Sequence, residues 1–114
     1  MGNNRLKMHK ERLKRLRLKS KYKELYSTVE AILFKHDPIR INFGGNTDEY
    51  DPEVGMILPR LKDANSESDV VTILHKELVR SFGVKLAGDR EQPIYREIAS
   101  EIWTAWLKFI SPTV

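Results

Sequence analysis

The segment His36-Asp37-Pro38-Ile39-Arg40-Ile41-Asn42-Phe43-Gly44-Gly45-Asn46-Thr47-Asp48-Glu49-Tyr50-Asp51-Pro52-Glu53 holds the residue types most able to do chemistry, including five of the sixteen acids of the 114-residue chain. Three kinds of chemistry are conceivable there. A hard cation needs about six or more oxygens, and Asp48, Glu49, Asp51 and Glu53 offer several carboxylates. The EF-hand spacing is missing, however, and Asp51 and Glu53 are better explained as the cap and first-turn charges of a helix, so no metal is expected. Asp37 beside His36 would orient an imidazole as a general base, yet no nucleophile or oxyanion donor is recognisable. Protein recognition is the third possibility, because exposed Tyr and Arg next to carboxylates are the residues from which binding hot spots are made. The candidate contacts are Asp37, Arg40, Asp48, Glu49 and Tyr50. The competing reading is structural: Arg40 and backbone amides tie the loop down over a packed Tyr50.

The rest of the chain adds little catalytic potential. His9, His36 and His75 are scattered over different elements, and His75-Lys76-Glu77 lacks the second His of a zinc-protease helix. Gly44-Gly45 has neither the Walker lysine nor dinucleotide spacing. With no cysteine, disulfides, thiolate nucleophiles and Cys-based metal centres are excluded. No catalytic residue and no cofactor is expected, and the chain reads as a non-enzyme.

Charge is distributed unevenly. From Arg5 to Lys23 there are ten Lys or Arg and one acid, a net +9, while the remaining residues sum to −5. A basic helix of this kind can release counterions from nucleic acid, and Arg12, Lys14, Arg15, Arg17, Lys19 and Lys21 are the candidate phosphate contacts. No aromatic residue lies between Arg5 and Lys21, which disfavours base stacking and also a membrane-surface helix. The same segment is suited to self-association with the acidic part of a second chain.

These groups must be positioned by helices. A first helix is expected from Arg5 to Lys35, with Tyr22, Leu25, Tyr26, Val29, Ile32 and Leu33 as its core stripe and residues 1–21 as a basic extension that projects or frays. Residues 22–114 form a single domain. Asp51 as N-cap and Pro52 at the first position open a second helix, with Val54, Ile57, Leu58 and Leu61 inward and a bend at Pro59. Ser66 and Asp69 resemble a capping box for a third helix, carrying Val70, Val71, Leu74, Leu78 and Phe82 and ending at Gly83. A fourth helix runs from Pro93 to about Ile110, with Ile94, Ile98, Ile102, Ala105, Trp106 and Phe109 on one face and Trp103 and Trp106 expected in the core. No stretch alternates as a strand does. The fold class is therefore all-α, a small four-helix bundle-like domain with an extended basic N-terminal helix. The longest apolar runs are far below the ~20 residues of a membrane span. The charged start is followed by no apolar stretch, so a cytoplasmic protein without a signal peptide is expected.

The order of these features resembles the YugE-like family of small bacterial all-α domains of unknown function. An amphipathic helix ends in Asp37-Pro38, a Gly-containing loop follows, and the chain returns to helix through Asp48-Glu49-Tyr50-Asp51-Pro52-Glu53. A later helix ends in Phe82-Gly83, and the last is built around Ile98, Glu101, Ile102 and Trp103. The likeness covers roughly Tyr22 to Ile110. It implies an all-α fold and no established catalytic activity, and it points towards kinship with immunity proteins that neutralise toxins. The basic segment from Arg5 to Lys23 departs from the family pattern and leaves a nucleic-acid or assembly role open.

Two functions from different classes follow. One is a non-enzymatic protein-binding module, of immunity or regulatory type, that works through the acidic loop. The alternative is a small nucleic-acid-associated protein that works through its basic helix.

Overall fold

The computed structural model describes residues 2–41 and 49–111, with side chains from residue 9 onward. Among them are five α-helices and no strand: α1 (Gly2–Tyr22), α2 (Glu24–His36), α3 (Asp51–Ile57), α4 (Glu67–Ala87) and α5 (Pro93–Ile110). The all-α class holds. The expected first helix is divided in two, because Lys23 adopts φ 50° and ψ −123°, outside the helical region. No Pro or Gly marks this break. Its cause is tertiary: the turn at Lys23 lets Tyr22 pack on Phe109 of α5, ring centroids 5.7 Å apart, while α1 lies against α3. Local helix propensity is a weak prior that such contacts override.

The basic segment does not project freely. Leu18 is half-buried against the core, and Arg15 and Lys19 reach Asp51 at 3.0 and 3.6 Å. Gly55 of α3 faces α1 at this crossing, where an added Cβ would meet Leu18 Cδ1 at 3.5 Å and Arg15 Cγ at 3.7 Å. The boundary drawn at residue 21 thus falls within a helix whose last turns already belong to the packed body.

Asp51 itself is not a cap. Tyr50 occupies the N-cap position of α3, and the Asp51 carboxylate accepts the Tyr26 hydroxyl at 2.6 Å while pairing with Arg15 and Lys19. One carboxylate therefore joins α1, α2 and α3. Downstream, Val54, Ile57, Leu58 and Leu61 are fully buried, as their spacing predicts. At Pro59 the chain tightens into a 3-10 turn, Leu58–Asp63, rather than bending as an α-helix. Pro59 has no N–H to give the Gly55 carbonyl, so the α pattern does not continue through it and the chain goes on as 3-10.

α4 opens as expected, with Ser66 Oγ accepting the Asp69 N–H at 3.2 Å and Asp69 Oδ2 accepting the Asn65 N–H at 2.8 Å. Gly83, at φ 87° and ψ 159°, interrupts it, and one further turn continues to Ala87. That turn is fastened from two sides: Tyr95 donates its hydroxyl to the Ala87 carbonyl, and His75 Nε2 donates to the Gly88 carbonyl at 2.8 Å. Within the core, Val70, Leu74 and Leu78 of α4 and Ile98 and Ile102 of α5 join the α2 stripe Leu25, Tyr26, Val29, Ile32 and Leu33. Trp106 is buried and Trp103 half-buried, so both pack as expected. Phe109 is 38% exposed, yet it stacks on Trp106 with centroids 5.8 Å apart.

If Asp51 is a tertiary hub, Asp51→Ala should lower unfolding stability by about 1–3 kcal/mol, since it removes the carboxylate that accepts the Tyr26 hydroxyl and pairs with Arg15 and Lys19, leaving the phenol only the residue 51 carbonyl at 3.2 Å. In a double-mutant cycle by denaturant melts, Tyr26→Phe with Asp51→Ala should cost clearly less than the two single changes together. Strict additivity would remove the hub.

Candidate functional site

The loop ends are built by a second phenol–carboxylate pair. Helix α2 stops at His36 because Asp37, before Pro38, takes a left-handed conformation at φ 46° and ψ 60°. Its Oδ1 accepts the Tyr50 hydroxyl at 2.7 Å and the Ile41 N–H at 2.8 Å, while the Tyr50 oxygen accepts the Ile39 N–H at 3.0 Å. Burial, then the bond to Asp37, pushes the Tyr50 phenol well above its ordinary 10.0. Tyr26 is raised in the same way, by burial and then by Asp51. Tyr50 is 1% exposed and touches Phe82 edge-on at 6.2 Å. As a partner contact it is therefore corrected: it lies in the core, since its phenol satisfies the turn that Asp37 begins. The structural reading, with Tyr50 packed beneath the loop, describes it.

Of the other loop candidates, Arg40 is exposed and Glu49 half-buried, and Asp48 lies outside the described residues. Arg40 has φ 61°, uncommon for a residue with a long side chain. It is held there by its N–H, which donates to the Asp37 carbonyl at 3.0 Å, and by the neighbouring Ile41–Asp37 bond. Asp37 and Arg40 line a groove of about 630 Å³ whose far wall is Lys85, Leu86, Gln92, Pro93 and Ile94. Sequence reading missed that wall. Its signal was present in Leu86, an apolar residue beyond the expected helix stop at Gly83, which is 61% exposed. A second groove, about 590 Å³ between α2 and α5, contains none of the loop candidates.

The imidazoles near these surfaces are already engaged. His36 and Lys35 both reach the Glu101 carboxylate, the lysine at 2.7 Å, and the bonds to Lys35 and His36 hold that carboxyl below the usual carboxylate range. His75 bonds the Gly88 carbonyl and lies edge-on to Tyr95 at 5.4 Å. Among the described residues no three His, Asp or Glu side chains converge as a metal would require.

The six helix cations divide by direction. Arg15 and Lys19 turn inward to Asp51, whereas Arg12, Lys14, Arg17 and Lys21 are exposed. Two buried acids were not anticipated as interior residues. Glu77 of α4 is 0% exposed with Arg60 Nε 2.8 Å from its carboxylate, an ion pair that fixes the 3-10 turn to α4. Glu53 is also buried, and its Oε1 has no hydrogen-bond partner among the described residues. Burial raises its pKa above 4.5, opposed by a bond with the Ser81 hydroxyl.

Set beside family models, curated proteins and solved structures, the chain gives no match in any of the three.

Two outcomes follow from this geometry. Tyr50→Phe keeps the ring but leaves the Ile39 N–H without its phenol acceptor and removes one of the donors to Asp37, and should cost about 1–3 kcal/mol in a denaturant melt. A change within experimental error would show the loop closure to be independent of the phenol. For Glu53, a folded pKa raised above the unfolded one means that the protonated form fits the fold better. Wild-type stability from this group is present below pH ~4.5 and lost as pH rises through the folded value. Glu53→Gln should therefore be more stable than wild type at neutral pH, with the gain vanishing below pH ~4.5. A gain that does not vary with pH would rule out this source.

Proposed function

We propose that this chain is a non-enzymatic protein-binding module, of immunity or regulatory type and acting in the cytoplasm, whose contact surface is the rim of the groove beside Arg40. The carrying observation is Arg40 itself. An exposed arginine is held in the left-handed region, at a cost of about 1–3 kcal/mol, on the edge of a groove that also presents Lys85 and Leu86. Strain of this kind persists only where the surroundings enforce it, and the Asp37–Tyr50 pair does so.

The surface has the composition of an interface. Leu86 and Ile94 offer apolar area, while Arg40 and Lys85 supply cations at the rim, so the matching partner segment carries carboxylates around an apolar anchor. Asp37 contributes by shaping the turn. The non-enzymatic part of the reading rests on the engagement of His36 by Glu101 and of His75 by Gly88, which leaves these imidazoles committed to structural bonds. The YugE-like pattern from Asp37-Pro38 to Trp103 supports the immunity or regulatory class.

The test is affinity capture from the host lysate with wild type and with an Arg40→Glu, Leu86→Asp variant shown to fold by circular dichroism. A partner retained by wild type in moderately high salt and lost from the variant is expected, because a desolvated core resists screening. Identical captured sets would remove the groove from the function.

A further inference from the structure

We propose that the outward face of α1 is a docking surface for the phosphate backbone of duplex DNA, formed by Lys10, Lys14, Arg17 and Lys21. These four residues are separated by four, three and four positions, the spacing that keeps side chains in one row along a helix. All four are exposed. The row rises about 16 Å along the helix axis, at 1.5 Å per residue. No acid lies in it, since Glu11 stands four residues before Arg15, on the row that turns towards α3.

The fold creates this separation. Asp51 pairs with Arg15 and Lys19, and Leu18 packs against the core, so the helix is held on one side and presents cations on the other. Outside residues 5–23 the chain carries −5, which repels a polyanion and leaves this face as the direction of approach.

Charge and shape favour duplex DNA over other polyanions. Single strands are held by aromatic stacking, and no aromatic residue lies between Arg5 and Lys21. The B-form major groove, about 12 Å wide, admits an α-helix, whereas the deep, narrow groove of duplex RNA does not. Anionic lipid needs a broad apolar face, and among the residues whose side chains are described the exposed apolar ones of α1 are Leu13 and Leu16, 38% and 54% exposed.

The experiment is a fluorescence-anisotropy titration of a short mixed-sequence DNA duplex with the full chain at several salt concentrations. Four phosphate contacts give a log–log salt slope of about −3.6, an affinity loss of about a hundredfold between 50 and 200 mM salt. Lys14→Gln with Arg17→Gln should flatten the slope by about two, while the charge-matched pair Lys62→Gln with Lys76→Gln, exposed residues on other elements, should leave it unchanged. Circular dichroism checks that each variant keeps its helices. Absence of binding at 50 mM salt would overturn the proposal. So would equal effects of the two variant pairs, or tighter binding of a matched RNA duplex or of phosphatidylserine vesicles under the same conditions. This surface is separate from the Arg40 groove, so either assignment can fail while the other stands.

Discussion

Two phenols hold the two acids that flank the long loop, and the packing of α2 against α3 depends on them. Tyr26, in the first turn of α2, donates to Asp51 at the start of α3, and Tyr50, just before α3, donates to Asp37 at the end of α2. The bonds run in opposite directions between the same two helices. Each is a hydrogen bond to a charged acceptor with its donor buried, the type that contributes most when made and costs most when one partner is lost. With both in place, α2 and α3 have one relative position, and Val54 and Ile57 meet Val29 and Leu33 in a common core.

This explains how far the sequence could be read. The four apolar stripes, the Ser66–Asp69 cap, the stop at His36 and the start at Pro93 were legible because periodicity and capping are local properties. The break at Lys23 was not, since nothing within α1 and α2 demands it and only the docking against α3 and α5 does. Asp51 and Tyr50 were misplaced for a related reason. An Asp before Pro at a helix start fits a cap, and a Tyr among acids fits a binding surface. Which neighbour each side chain meets is decided by residues 25 and 13 positions away.

The same docking sorts the charge of the molecule. Ten cations between Arg5 and Lys23 look uniform in the sequence, but Asp51 gives two of them a structural role and leaves a row on the opposite side. Among the described residues the interior acids Glu53 and Glu77 both carry carboxylate oxygens without a hydrogen-bond partner, but Glu77 has the Arg60 guanidinium beside it as an ion pair. That ion pair fixes the 3-10 turn to α4. Glu53 is a site where the fold tolerates a desolvated carboxyl for the sake of the α3 start.

Clamping residues 37 and 51 also sets the chain entropy of the segment between them. When the ends of a segment are held by bonds outside it, lengthening that segment adds only the slowly growing closure term, about 0.6 kcal/mol for each doubling. The Asp37 turn and the Tyr50 phenol lie at the base of this segment and within the packed body, so its two ends are brought together by residues 37, 39, 41 and 50 themselves.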